Sequence, residues 1–232
     1  MALTLIIGNK NYSSWSMRPW IAMKTAGIAF EEKVIPLYEP GSREKVLQYS
    51  PAGKVPVLID GDDRIWESLA IIEHLAEKFP GAGLWPRDAQ ARSHARVVAS
   101  EMHGGFGALR RACPMNMWLP PKPRPQSEEV MADVARIAAL WDDCRARFGQ
   151  KLEPGGPFLF GAFGAADAMY APIVARFHGF GLSVGKSARA YMEAVMALPA
   201  WAEWTGAALK EPWIMIYNEP DWPLVRGTPI SQ

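Results

Sequence analysis

The 232-residue chain is nearly neutral, with a net charge of +1 and a pI of about 7.8, so it lacks the one-sided charge that draws proteins onto nucleic acid or anionic membrane surfaces. No apolar run approaches the about 20 residues that cross a bilayer, and two cysteines, Cys113 and Cys144, supply neither a disulfide framework nor, unaided, a zinc site. The length suits one large domain or two small ones, and 10 tryptophans and 20 prolines favour aromatic-lined clefts and abrupt helix boundaries.

Met1 to Ile7 has no basic leader or cleavage site and reads as a first strand from Leu3 to Ile7, with the cytoplasm as the default location. Gly8-Asn9 ends that strand. The polar loop Lys10 to Ser16 then leads into a helical pattern from Met17 to Lys24, with Ser16 as its cap. Pro19 is expected in the first turn, whose amides lack intrahelical acceptors, and Gly27 closes the helix. Phe30 to Pro36 reads as a second strand and Ser42 to Tyr49 as a short helix or turn. Val57-Leu58-Ile59 is a short buried strand. Gly61 among Asp60, Asp62 and Asp63 makes a hairpin turn, and Arg64-Ile65-Trp66 returns as its partner. Glu67-Ser68 opens a helix with Leu69, Ile72, Leu75 and Phe79 on one face. Ser68 is the expected cap, where a hydroxyl, unpaired amides and the helix dipole together suit a carboxylate.

Pro80 to Gly83 breaks this helix, and a domain boundary is expected there, dividing the chain into 1–80 and 88–232. The second part reads as all-helical. Asp88 begins a long helix to about Cys113, bent by Gly104-Gly105 and Gly107. The proline-rich segment Leu119 to Pro125 cannot be helix. Ser127 caps the next helix, whose stripe runs Val130, Val134, Ile137, Trp141, Cys144 and Phe148 before Gly149 ends it. Pro154 to Pro157 is a turn, and Gly164 to Asp167 opens a helix through Phe177 in which Asp167 reaches back to the cap amide. Helices at 187–197 and 200–210 and a proline-punctuated tail at 219–223 complete the chain.

Lys54-Val55-Pro56-Val57-Leu58 followed by Trp66-Glu67-Ser68-Leu69-Ala70-Ile71 resembles the glutathione-binding half of cytosolic glutathione transferases. The resemblance is specific over residues 1–80 and holds by layout over 81–210. It implies an α/β N-terminal thioredoxin-like domain followed by an all-α C-terminal domain. It also implies a cis peptide at Pro56, which a proline position allows. Val55 would meet the cysteinyl backbone, Glu67 and Ser68 the γ-glutamyl end, and Lys54, with Gln48 as a weaker candidate, the glycyl carboxylate. Family members are usually homodimers, and the same is expected here. Glutathione is the implied co-substrate, a small electrophile the other partner, with no metal, nucleic acid or membrane.

In thioredoxin-like folds the N-terminus of the first helix stabilises a thiolate. Redox members put a cysteine there; Ser13-Ser14-Trp15-Ser16 has none. What remains is a hydroxyl donating to a thiolate that the ligand brings, whose free pKa of about 8.5 the site must lower. Counting back from Arg18, the tau and zeta classes place this hydroxyl at Ser13 and delta-type enzymes at Ser14. The fragment Ser-x-x-x-Met-Arg-Pro favours Ser13, and Tyr12 is a third, phenolic option. The same serines can equally serve only loop and cap amides. An electrophile pocket is expected between the domains, with Trp15, Phe106, Arg110, Met115 and Trp118 as lining candidates, although such a stripe is more often core. Arg110-Arg111 can attract an anion or simply solvate a helix, and His74 and His103 read as surface or core residues. Conjugation is the preferred activity. Isomerisation of the maleylacetoacetate type, peroxide reduction and reductive dehalogenation use the same site, and Trp15 stands where zeta enzymes have cysteine. A non-catalytic module of the same fold is the other class considered.

Overall fold

The computed structural model describes residues 2–152 and 155–220; the Pro154 end of the expected turn and the tail from Asp221 onward lie outside them. The first half runs β1 (Thr4–Ile7), α1 (Ser14–Thr25), β2 (Glu31–Val34), α2 (Ser42–Leu47), β3 (Val57–Asp60), β4 (Asp63–Ile65) and α3 (Ser68–Lys78). The strands form one mixed sheet in the order β2-β1-β3-β4. β1 is parallel to β2, with Ile7 opposite Val34, and antiparallel to β3, with Leu5 opposite Leu58. The β3–β4 hairpin pairs Asp60 with Asp63, and Gly61 supplies the positive φ of the turn between them. Leu5, Ile6 and Ile7 are all fully buried because β1 is covered on both faces. Leu5 and Ile7 meet α1 and α3 in the main core, while Ile6 joins Val57, Ile35 and Val46 under α2.

Helix α1 begins earlier than expected. Ser13 is its cap, with Oγ accepting from the Ser16 amide at 3.4 Å, and Ser16 Oγ instead accepts from the Gly8 amide at 3.0 Å. Pro19 therefore lies inside the helix, where it cannot donate to the Trp15 carbonyl. At the other end Gly27 takes a φ of 68° and the Ile28 amide bonds the Met23 carbonyl, closing the last turn. Trp20 of α1 meets Trp204 of a later helix edge-on at 5.0 Å, a pairing that contributes about 0.5–1.5 kcal/mol beyond its buried area. Lys10 lies over both indoles and is held by Glu32 at 2.7 Å.

The helical half consists of α4 (Ala89–Gly104), α5 (Gly107–Ala112), α6 (Glu128–Cys144), α7 (Ala165–Gly179), α8 (Lys186–Met196) and α9 (Pro199–Ala208). The single long helix expected up to Cys113 is in fact two. The chain breaks at Gly105 and Phe106, which takes a φ of 60°, and a Cβ on Gly105 would come within 2.6 Å of the Glu101 carbonyl oxygen. The stripe of α6 is buried from Val130 to Cys144, and Asp88 and Ser127 cap α4 and α6 as expected. One apolar cluster joins both halves, running from β1 through α1 and α7 to Trp141 of α6. Helix α7 is buried on nearly every side, so its sequence is apolar throughout rather than striped.

At the start of α7 the buried Asp167 carboxylate accepts from the Gly164 amide at 2.9 Å and the Leu159 amide at 3.0 Å. Asp167→Ala leaves both amides without a partner and is expected to lower the unfolding free energy by about 2–4 kcal/mol in urea denaturation. Burial pushes the Asp167 carboxyl up to about 6. The folded chain therefore binds this proton more tightly than the unfolded one. The contribution of this group is full below the unfolded value and is lost as pH rises through the folded one. Denaturation midpoints of Asp167→Asn should show a flatter dependence across that window.

Candidate active site

The loop between β1 and α1 is held by distant parts of the chain. The Tyr12 and Ser13 amides bond the Asn9 carbonyl, and Asn9 Oδ1 accepts from the Leu37 amide at 2.7 Å. Glu211, beyond α9, accepts from the Lys10 and Asn11 amides at 2.6 and 2.9 Å. Tyr12 donates to Glu219 Oε1 at 2.5 Å and accepts from the Met215 amide at 3.2 Å. Burial first, then Glu219, raises its phenol well above the ordinary tyrosine range. Tyr12 is thus committed to the C-terminal segment, and the phenolic option is set aside.

Ser13 and Ser14 are both buried at the start of α1. Ser13 Oγ and Ser16 Oγ share a hydrogen bond of 2.7 Å. Ser14 Oγ accepts from Arg176 Nη2 of α7 at 3.2 Å, while the same guanidinium donates to the carbonyls of Cys113 at 2.9 Å and Pro172 at 3.1 Å. Burial lowers Arg176 to about 10. Arg18 of α1 is 1% exposed, and its Nε and Nη1 have no hydrogen-bond partner among the described residues. Burial, then the charges of Arg110 and Arg176, push its pKa well down, with Tyr170 and Glu67 opposing. The Trp15 ring lies 4.1 Å from the Arg18 guanidinium and 4.5 Å from that of Arg110, and His103 meets it edge-on at 5.2 Å. Burial and then the charge of Arg18 lower the His103 pKa, with Glu67 opposing.

The second part of the site is the start of α3. Glu67, one residue ahead of the expected cap, occupies the cap position with no side-chain bond, and its side chain is exposed. Ser68 is the first helical residue; it is fully buried and its Oγ has no hydrogen-bond partner among the described residues. Val55–Pro56 is cis, and Trp66–Glu67 is cis as well. Pro56 is buried, Val55 half-buried, and Lys54 and Gln48 exposed.

Of the lining candidates, the fold brings Trp15 and Arg110 together. Phe106 and Met115 instead lie in the apolar core. Trp118 stands against Tyr12 at 5.6 Å and donates its indole N–H to the Ala208 carbonyl at 2.7 Å, on the side of the C-terminal segment. Sequence reasoning used Arg18 only as a landmark, read His103 as a surface or core residue, and gave no role to Arg176 or the segment 211–219. The signal for the two arginines was present: each is a charge embedded in an apolar helical run, Met17-Arg18-Pro19-Trp20 and Val174-Ala175-Arg176-Phe177.

A family model for the glutathione S-transferase N-terminal domain matches residues 12–78, and one for the C-terminal domain matches 124–207. The chain is 31% identical to glutathione S-transferase 1 of Dianthus caryophyllus, over 75% of this chain and 78% of that one. It is 36% identical to a probable maleylacetoacetate isomerase of Caenorhabditis elegans over 42% of this chain, a match that spans 45% of the nematode protein's length. A glutathione transferase homolog from Burkholderia gl BGR1, solved with bound glutathione, shares the fold with a TM-score of 0.67 at 21% identity, over 90% of this chain and 98% of that one. The chain belongs to the glutathione S-transferase family of enzymes.

The Tyr12–Glu219 contact can be checked directly. Tyr12→Phe leaves a buried carboxylate without its donor and frees the Met215 amide, so stability should fall by about 1–3 kcal/mol. Hydrogen exchange at 211–219 should quicken more than exchange in the sheet.

Proposed function

We propose that this enzyme conjugates glutathione to small electrophiles, with a serine hydroxyl at the start of α1 holding the sulfur as thiolate. The observation that carries the reading is the buried Ser68 hydroxyl at the N-terminus of α3, which has no hydrogen-bond partner among the described residues. First-turn amides, a hydroxyl without a partner among the described residues and the positive helix end together suit a carboxylate. The γ-glutamyl end of glutathione has this group, and Glu67 beside it suits the adjacent ammonium. Val55 offers the backbone at the cis Pro56 bond, and Lys54 is free to meet the glycyl carboxylate.

Bound glutathione supplies the nucleophilic sulfur. Ser13 is preferred as its donor: Ser16 Oγ already accepts from Gly8, and the Ser13 hydroxyl can turn from Ser16 toward the ligand. Ser14 is the second donor, its oxygen already occupied by Arg176 and its own proton free. The helix dipole and the nearby guanidiniums favour a negative sulfur, and most of the rate comes from that electrostatic stabilisation and from proximity. Isomerisation on the same site is the second reading, favoured by the similarity to the nematode protein. A homodimer, a cytoplasmic location and the division into 1–80 and 88–232 belong to the same proposal.

The test is calorimetric titration with glutathione, followed by kinetics against electrophiles, peroxides and a cis-enone diacid. Glutathione should bind, and Ser68→Ala should weaken binding about tenfold. Ser13→Ala should lower kcat/KM about 100-fold with little change in glutathione affinity. Loss confined to Ser14→Ala would reassign the donor, and no binding by folded protein would remove the reading altogether.

A further inference from the structure

Residues 211–219 follow α9 and lie across the β1–α1 loop, holding it at three successive residues. Glu211 accepts from the Lys10 and Asn11 amides, and Tyr12 donates to Glu219 while accepting from the Met215 amide. Ser13 is the next residue along. The segment is fixed in turn by the buried Asn116, whose side-chain amide donates to the Asn218 carbonyl at 3.0 Å. Tyr217 meets Tyr38, just beyond β2, edge-on at 5.6 Å.

Glu219 is the member of this set that packing does not explain. It is 5% exposed; one oxygen takes the Tyr12 hydroxyl, and the other has no hydrogen-bond partner among the described residues. Lys10 of the same loop lies over Trp20 and Trp204 and is paired with Glu32 instead. A carboxylate buried on a single neutral donor is unfavourable, and an apolar residue would serve stability better. Such local conflicts are expected where function, rather than stability, sets the residue.

Tyr12 carries the restraint to the catalytic turn. Its amide and that of Ser13 both bond the Asn9 carbonyl, so the anchored phenol and the Ser13 backbone belong to one tight turn. A donor aimed at a reacting atom must be held to within about 0.5 Å, and small misplacements are costly. Resting on the glutathione transferase reading, we propose that Glu219 is a positioning residue for that reaction: through Tyr12 it fixes the turn so that the Ser13 hydroxyl meets the glutathione sulfur. The segment after α9 then belongs to the thiolate site without contacting the sulfur itself.

The readout is the pKa of the glutathione thiol in the complex, followed by ultraviolet thiolate absorbance as pH is varied, with glutathione affinity measured by calorimetry. Full-length variants are used, and circular dichroism verifies that each is folded. Glu219→Ala removes the acceptor and should raise the bound thiol pKa by about one unit, with affinity changed less than about threefold. Glu219→Gln keeps an acceptor oxygen for Tyr12 and should restore most of the original value. Tyr12→Phe cuts the same bond from the other side and should give the same rise, which keeps the proposal testable where Glu219→Ala does not fold. A thiol unmoved in the folded variants makes the segment merely structural and overturns the proposal. So does a rise as large in Glu219→Gln as in Glu219→Ala, because the acceptor is then not what matters. A lower pKa in both Glu219 variants overturns it as well, since the carboxylate then acts across space and opposes the thiolate. Glutathione that fails to bind the unchanged enzyme, or binds with its thiol at the free value, instead brings down the transferase reading on which this one rests.

Discussion

Helix α1 is enclosed by the sheet half on one side and by α7 and α9 on the other, so that from Ser16 to Met23 every residue is buried. An isolated helix of this length would be marginal in water; this one is defined by what surrounds it. The consequence is that its N-terminal turn cannot drift. Ser13 and Ser14, the dipole end and the Trp15 ring are presented in one geometry, and Arg18 is carried into the interior with them.

The same turn is secured from the far end of the chain. Glu211 takes two loop amides, Glu219 takes the Tyr12 hydroxyl, and Arg176 takes Ser14. Each bond links the loop to a residue more than 160 positions away. The two halves are therefore not a ligand-binding module with a passive appendage. The helical half supplies Arg176, Glu211 and Glu219 to the turn, and one apolar cluster runs through both halves.

Much of the first half was legible in the order of residues. The hairpin at Gly61, the short strands and the helix after Glu67 follow from local chemistry, glycine where φ is positive and an apolar run where a strand is buried, while the cis bond before Pro56 came from the family resemblance, a proline only permitting it. Boundaries slipped by a residue or more where two capping residues competed, as with Ser13 against Ser16 and Glu67 against Ser68. The break between α4 and α5 was read as a bend because glycine alone does not say whether a helix curves or stops. It stops at Phe106, a core residue that takes a left-handed backbone for which it has no intrinsic preference.

What the sequence determined by itself is the type of fold, the family signature around Lys54 to Ser68 and the absence of a cysteine at the first helix. All three are properties of residues near one another along the chain. What only the tertiary structure decided is which side chains share the site. Arg18, Arg110 and Arg176 lie far apart in sequence and belong to three different helices, so no spacing rule links them. They meet because α1 packs on α7 and the broken α4–α5 turn brings Arg110 over Trp15. Electrostatics depends on distance in space, and that distance did not exist until the chain had folded.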